Sequence, residues 1–290
     1  MVKIKSASKK KPFEVLIVAK QNKTGMRMAK KLEKELKKYT EEVHFDRSTA
    51  LRLKKRGMAI KKFQGDLIIT VGGDGTYLWT SHHTKKPILP IKIEGYGFLC
   101  TANFKELIEN LKNVVEGKYE VEERMRLKCI RVKTRKIEKY ISRIFHGEYP
   151  YSLNEIAFAR KRPSKILEIE VKIDDVVFDF VGDGVMFATP SGSTAYASSA
   201  GGSIIDPSLK MITMVPLYPF YSKIRPLILP PDKKIEVSIK GGDCALIIDG
   251  HGGDYVSSDS SFVLEQGEPA KVVRIVKTNF YEKIRKGLMS

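Results

Sequence analysis

The sequence has few cysteines and no long apolar run. Its three cysteines, Cys100, Cys129 and Cys244, are far apart and have no metal-ligand spacing, which argues against a disulfide framework or a zinc site. No apolar stretch approaches the ~20 residues that a membrane-spanning helix needs, and the basic start lacks the apolar core of a secretion signal. These absences predict a cytoplasmic protein with reduced thiols and no membrane partner.

Acidic residues are also scarce, since 34 Asp and Glu stand against 52 Lys and Arg, for a net charge of +18. Much of the excess lies in residues 1–62, with 20 basic and 6 acidic side chains. Leu32 and Leu36 stand four apart among lysines there, which predicts the solvated face of an amphipathic helix. Attraction of anionic substrates and a nucleic-acid surface remain alternatives. Because no zinc-finger or RNA-recognition signature is present, we expect no nucleic-acid partner.

Strand and helix patterns alternate through the first hundred residues. Apolar runs predict strands and amphipathic segments predict helices; the strands lie at 14–19, 42–45, 66–71 and 88–93, and the helices at 26–39, 51–63, 76–84 and 104–116. Such alternation is typical of a parallel sheet covered by helices. We therefore predict an α/β domain with a Rossmann-like sheet over residues 1–117.

From about Tyr119 the pattern changes to short, β-branched segments separated by turn residues. Strands are predicted at 127–134, 165–173, 176–181, 185–189, 211–215, 235–239, 245–249, 262–265 and 272–276. This spacing favours an all-β domain over residues 118–276, a sandwich of stacked sheets, interrupted by one helix near 193–199. The remaining residues, 277–290, include a predicted helix at 281–288 that packs back on the first domain.

The turn Gly72-Gly73-Asp74-Gly75-Thr76 follows an apolar strand without a gap. Glycines leave backbone N–H groups accessible to a phosphate, and a helix starting at Thr76, capped by its side chain, would add its positive end. A carboxylate would repel phosphate, so Asp74 suits a base that takes a proton from an attacking hydroxyl. An N-cap or Asx-turn role for Asp74 remains the alternative.

A second glycine-rich segment begins with Gly182-Asp183-Gly184 and continues through Thr189-Pro190-Ser191-Gly192-Ser193-Thr194-Ala195-Tyr196. By itself the Gly-Asp-Gly turn is most typical of a hairpin. Ser191 or Ser193 suits the N-cap of the predicted helix.

These segments, with Leu153-Asn154-Glu155 and Ser199-Ala200-Gly201-Gly202, resemble the NAD kinase family within the wider superfamily of diacylglycerol, sphingosine and 6-phosphofructo-kinases. The resemblance implies phosphorylation of the 2′-hydroxyl on the adenosine ribose of NAD, giving NADP. It implies ATP or polyphosphate as the donor, Mg²⁺ or another divalent cation with ATP, and a homodimer or homotetramer. No metal-ligating residue is assigned.

The resemblance also implies residue roles. Asp74 is the general base; Gly72, Gly73, Gly75 and Thr76 border the phosphates; and Asn154 and Glu155 contact the ribose hydroxyls. The implied NAD-binding set is Asp74, Gly75, Phe98, Asn154, Glu155, Asp183, Ser191, Thr194, Ala195, Tyr196, Ser199 and His251. The chain departs from the family pattern at Lys92 and Glu94, at Phe220 and Tyr221, and at Trp79.

Three other functions therefore stay open. The first is a kinase of the same superfamily acting on another nucleoside, sugar or lipid hydroxyl, which the Lys92/Glu94 change favours. The second is a nucleotide sensor without turnover. The third is a nucleic-acid module based on the basic first domain.

Overall fold

The computed structural model describes residues 12–133 and 149–288, which divide into two compact units. Unit 1 contains the described residues of Met1–Thr80, Lys86–Glu122 and Val272–Ser290, and unit 2 those of Ser81–Lys85 and Glu123–Lys271. The domain boundaries predicted after residues 117 and 276 stay a prediction.

Unit 1 is built on a parallel sheet of short strands, and its central strands at 15–19 and 67–72 are buried along their whole length. In chain order its elements are β1 (Val15–Ala19), α1 (Lys23–Leu36), β2 (Val43–Phe45), α2 (Arg47–Leu53), β3 (Leu67–Gly72), α3 (Asp74–Ser81), β4 (Ile88–Lys92), β5 (Ala102–Asn103) and α4 (Phe104–Val115). The strand order is β2-β1-β3-β4, and β5 also pairs with β4. Strands buried on both faces are typical of a sheet covered by helices.

The helices of unit 1 follow from local signals. Gly25, Ala29, Leu32 and Leu36 form the buried face of α1, as a 3.6-residue period requires. A capping box between Asn103 and Glu106 starts α4. The helix predicted at 51–63 is wrong in its bounds, because Asp46 caps α2 earlier and Lys54 ends it in a left-handed conformation.

Unit 2 is an antiparallel sandwich. Its strands are β6 (Glu120–Lys133), β7 (Glu155–Arg160), β8 (Leu167–Ile173), β9 (Val176–Gly182), β10 (Gly184–Ala188), β11 (Ile212–Leu217), β12 (Leu227–Leu229), β13 (Ile235–Gly241), β14 (Cys244–Ile248), β15 (His251–Val256) and β16 (Ser260–Arg274). One sheet has the order β16-β13-β8-β9 with β6 beside β16, and the other has the order β12-β11-β10-β7-β14-β15. Residues of both sheets, such as Phe158 and Phe262, share one buried core.

Three sequence expectations for unit 2 are corrected. The two strands predicted at 262–265 and 272–276 form the single strand β16, and β7, β12 and β15 were not predicted. Gly182-Asp183-Gly184 is not a hairpin, since β9 pairs with β8 whereas β10 pairs with β7 and β11. A Cβ on Gly184 would clash with the Phe158 carbonyl, so glycine permits the close approach of β10 to its neighbour β7.

Two further helices complete the described chain. The short helix α5 (Tyr196–Ser199) lies in unit 2, and the C-terminal helix α6 (Phe280–Leu288) belongs to unit 1. The predicted fold class, α/β plus all-β with a returning C-terminal segment, is confirmed. Within the described ranges, no helix is both long and apolar enough to cross a membrane.

Candidate active site

One candidate site is the glycine turn of unit 1. β3 ends at Gly72 and α3 begins two residues later, at Asp74. A Cβ on Gly72 would collide with the Thr76 side chain, whereas a Cβ on Gly73 or Gly75 would meet nothing within 4 Å. The turn therefore leaves open space above its backbone. Thr76 lies inside α3, so the predicted Thr76 cap is wrong.

Asp74 is held by the loop that follows β4. One carboxylate oxygen, Oδ2, accepts the N–H groups of Phe98 (2.7 Å) and Leu99 (3.2 Å), and Oδ1 accepts that of Cys100 (3.1 Å). A Cβ on Gly97 would lie 2.6 Å from Oδ1, so this approach requires glycine. Three charge-assisted hydrogen bonds orient the carboxylate.

The Cys100 thiol also contacts this carboxylate. Burial raises the pKa of the thiol, and the Asp74 charge and a hydrogen bond to Asp74 raise it further. The thiol therefore stays protonated and is the weakest of the donors around Asp74.

Two of the family departures, Lys92 and Glu94, lie near the same loop. Lys92 Nζ is 5.4 Å from the centre of the Tyr96 ring, and Glu94 pairs with Lys20 at 3.8 Å. A cavity of about 320 Å³ opens beside the loop and includes Lys92, Tyr96, Gly97 and Cys100 in its wall. Cationic and hydroxyl groups thus line the space next to the residues that hold Asp74.

A second candidate site lies in unit 2, where Asn154 and Glu155 enter β7. The fully buried Asp249 carboxylate organises this segment. It accepts the N–H groups of Leu153 (2.9 Å), Asn154 (2.7 Å) and Glu155 (3.1 Å). The Ser152 hydroxyl and the His82 ring complete its contacts, at 2.6 and 2.7 Å.

Asp249 owes its place to a hairpin turn. Asp249 and Gly250 connect β14 to β15, and both have positive φ, 51° and 69°, as a type I′ turn requires. Burial acts to raise the pKa of Asp249, but hydrogen bonds and charge from His82, with help from Ser152 and Leu153, lower it overall. An ionised Asp249 therefore anchors the segment 152–155.

Asn154 and Glu155 carry buried polar atoms without protein partners. Asn154 is 7% and Glu155 4% exposed, and neither Asn154 Oδ1 nor Glu155 Oε2 makes a hydrogen bond. Burial, and then the Asp249 charge, raise the pKa of Glu155 to about 8. Glu155 is therefore protonated at neutral pH and can both donate and accept.

The segment 189–199 packs against Asn154. The Thr189 N–H donates to the Asn154 carbonyl at 2.8 Å, and a Cβ on Gly192 would collide with the Asn154 backbone. Glycine at 192 thus brings the two motifs together. The predicted capping by Ser191 or Ser193 is wrong, because neither side chain caps a helix N-terminus here; Ser193 instead accepts the Ile205 N–H at 2.9 Å.

The other predicted NAD-binding residues of unit 2 are less enclosed. Tyr196 and Ser199 are exposed, and Thr194 and Ala195 are half-buried. His251 lies next to His82, with ring centres 5.7 Å apart. Asp183 pairs with Arg160 at 3.0 Å.

The structure thus gathers Gly72, Gly73, Asp74, Gly75, Thr76 and Phe98 in unit 1, and Asn154, Glu155, Ser191 and His251 in unit 2. The sequence analysis missed Gly97, His82 and the anchoring role of Asp249. Only the Asp-Gly pair at 249–250, a turn signal, pointed to any of them.

Family models match most of the chain. Residues 5–119 match the family model of the ATP-NAD kinase N-terminal domain, and residues 153–277 match that of the ATP-NAD kinase C-terminal domain. The NAD kinase of Methanothermobacter thermautotrophicus is 35% identical over 246 residues, covering 82% of this chain and 81% of the relative. That of Methanosarcina acetivorans is 34% identical, covering 85% and 88%.

Solved structures give the same result. An NAD kinase from Archaeoglobus fulgidus in complex with ATP is similar with a TM-score of 0.73 and 27% identity, covering 94% of this chain and 99% of that one. Yeast NADH kinase complexed with NADH has a TM-score of 0.82 at 24% identity over 97% of this chain and 89% of that one, which supports the fold alone.

The chain therefore belongs to the ATP-NAD kinase family. The predicted family and the predicted enzyme class, a phosphotransferase with an alcohol acceptor, are confirmed. A superfamily kinase acting on another acceptor is not favoured.

Proposed function

We propose that this chain transfers the γ-phosphoryl group of ATP to the 2′-hydroxyl on the adenosine ribose of NAD, giving NADP and ADP, with Asp74 as the general base. The observation that carries the proposal is the Asp74 carboxylate, fixed by three backbone N–H groups at the start of a helix in a glycine turn. The relatives named NAD kinase and the related structure with ATP support these substrates.

Asp74 takes the proton of the 2′-hydroxyl as its oxygen attacks the γ-phosphorus. The bond between that phosphorus and the β,γ-bridging oxygen breaks, and ADP leaves. The substrate hydroxyl displaces the Cys100 thiol, the weakest donor on the carboxylate. The three N–H donors stay in place and keep the base aimed, which is how orientation lowers a barrier.

The glycine turn binds the phosphates. The open space at Gly73 and Gly75 lets phosphate oxygens approach the main chain, and the N-terminus of α3 adds positive potential. Gly72 and Thr76 form the base of the turn by packing on each other.

Asn154 and Glu155 bind the ribose diol. The 3′-hydroxyl would donate to one of their unpartnered, buried oxygens, Asn154 Oδ1 or Glu155 Oε2, which removes the cost of burying that oxygen unpaired. The hydrogen of the 2′-hydroxyl stays directed at Asp74. Because Glu155 is protonated, it donates to one hydroxyl oxygen as well as accepting, as a neutral amide does.

The remaining contacts with NAD come from the exposed and half-buried residues. Phe98 and Tyr196 offer aromatic rings, Ala195 leaves room for a flat base, and His251 borders the anchored segment. We assign the polar contacts to the side chains of Asp183, Ser191, Thr194 and Ser199.

A divalent cation fits these residues when it arrives with ATP. Within residues 12–133 and 149–288 no group of three or more His, Cys, Asp or Glu side chains could hold a metal by itself. Mg²⁺ suits such a site, since it commonly binds substrate phosphates with one or two carboxylates and keeps several waters. Because Asp74 is used to accept the substrate proton, bound Mg²⁺ would be held by the substrate phosphates and water. Bound Mg²⁺ would neutralise phosphate charge.

Following the family resemblance, we also propose a cytoplasmic location and a homodimer or homotetramer.

The test is to incubate the protein with ATP, Mg²⁺ and NAD and to measure NADP, with polyphosphate as an alternative donor and NADH as an alternative acceptor. Asp74→Asn should lower kcat by about 10²–10⁴-fold, the range for a lost general base, with the KM for NAD nearly unchanged. Wild-type turnover in this variant would disprove the assignment of the base.

A further inference from the structure

We propose that Lys283, on the C-terminal helix α6, is a positioning residue for phosphoryl transfer, acting on Asp74 through the backbone of residues 97–100. The inference rests on the proposed role of Asp74 as the base. Lys283 lies outside the residues assigned to catalysis or substrate binding above.

The Lys283 ammonium faces the opposite side of the loop from Asp74. Lys283 Nζ donates to the carbonyl of Phe98 at 3.0 Å and to that of Cys100 at 2.7 Å. The N–H groups of Phe98, Leu99 and Cys100 donate to the Asp74 carboxylate. The loop therefore has a cation on its carbonyl side and an anion on its N–H side.

One peptide group takes part in both interactions. The carbonyl of Phe98 and the N–H of Leu99 belong to the same peptide unit, so the ammonium and the carboxylate polarise it in the same direction. Hydrogen bonds that share a polarised group strengthen one another. Lys283 thus strengthens the hydrogen bond from Leu99 to Asp74 without touching the carboxylate.

Local contacts hold α6 in the position from which Lys283 binds the loop carbonyls. Asn279 caps α6, its side chain accepting the N–H of Tyr281 at 2.9 Å. The Tyr96 hydroxyl donates to the carbonyl of Lys283. The Tyr96 ring also fills the space that a Cβ on Gly287 would need, so the helix and the residue preceding the loop are in direct contact.

The kinetic test compares three variants of the full chain. Lys283→Met should lower kcat by about 10–100-fold, the usual loss when an orienting partner is removed, with KM for NAD and ATP within about threefold. Lys283→Arg, which keeps a cation and N–H donors, should recover kcat to within about fivefold of wild type. The matched control is Arg285→Met, an exposed cation on the same helix, which should leave kcat unchanged. Normal kcat in Lys283→Met, or no recovery with arginine, would overturn the proposal.

A second measurement separates positioning from general loss of structure. Amide hydrogen exchange of Leu99 and Cys100 should be about tenfold faster or more in Lys283→Met, and unchanged in Arg285→Met. Unchanged exchange in Lys283→Met would contradict the proposed link to the loop.

A double-mutant cycle tests whether Lys283 acts through Asp74. In the Asp74→Asn background, Lys283→Met should reduce the remaining rate by less than about threefold, since the base is already gone. If Lys283→Met lowers the rate as strongly in the Asp74→Asn background as in the wild type, Lys283 acts independently of Asp74 and the proposal is overturned. Failure of the base itself is distinct, because it appears in Asp74→Asn alone as wild-type turnover.

Discussion

Glu155 should make the stability of the free protein depend on pH. Its pKa is about 8 in the folded chain, against 4.5 for an unperturbed glutamate, because burial and the Asp249 charge disfavour the carboxylate. Between these two pH values unfolding releases a proton. The free energy of unfolding therefore falls as pH rises, by about 1.4 kcal/mol per pH unit, and levels off above about pH 8.

Glu155→Gln removes this titration but keeps a neutral group of the same size. Urea unfolding without nucleotide measures the free energy of unfolding of both proteins. The value for the variant minus that for the wild type should increase by about 2–3 kcal/mol between about pH 5.5 and 7.5. Glu236→Gln, at an exposed glutamate on β13, is the matched control and should show a constant difference from wild type. If the difference between Glu155→Gln and wild type also stays constant over this range, Glu155 is not a buried, protonated acid and the reasoning fails.

Two further predictions concern the geometry of the site. Gly97→Ala puts a Cβ 2.6 Å from Asp74 Oδ1, so the carboxylate must move; steady-state NADP formation should show kcat reduced by about 10²-fold, and an unchanged kcat would mean that the loop yields without disturbing Asp74. Asn154→Ala removes a buried group with an unsatisfied oxygen, so it should raise the KM for NAD by about tenfold or more while the KM for ATP stays constant; an unaltered KM for NAD would exclude Asn154 from the ribose contacts.

Local signals predicted most of unit 1 because β1, β3 and β4 are separate, mainly apolar runs; the two-residue strand β5 was not predicted. β16 shows why the same approach failed in unit 2. Gly267 and Pro269 interrupt its pattern and indicate a break, yet the strand continues past them. A Cβ at position 267 would lie only 3.2 Å from the Tyr151 ring, so glycine lets the strand pack closely against a residue that is distant in sequence. β15 was missed because glycines at 252 and 253 lower its strand propensity.

The same limit applies to the site. The motifs around Asp74 and Asn154 are continuous in sequence, so they could be identified from it. Their supports are not, since Gly97 lies 23 positions after Asp74, and Asp249 lies 95 positions after Asn154. Such partners are determined by the packing of distant segments, which a single sequence does not reveal.

Asp249 has two structural roles: it forms the turn between β14 and β15, and its carboxylate binds the N–H groups of residues 153–155. A change to one role also affects the other. A single-residue insertion in that connection would offset the ladder between β14 and β15 and carry the carboxylate away from the amides at 153–155. Asparagine at position 249 would fit the turn equally well, but it would remove the negative charge that accepts the N–H groups of residues 153–155. Evolutionary drift in this hairpin is therefore constrained by the pocket it supports, even though Gly250 itself is exposed at the surface.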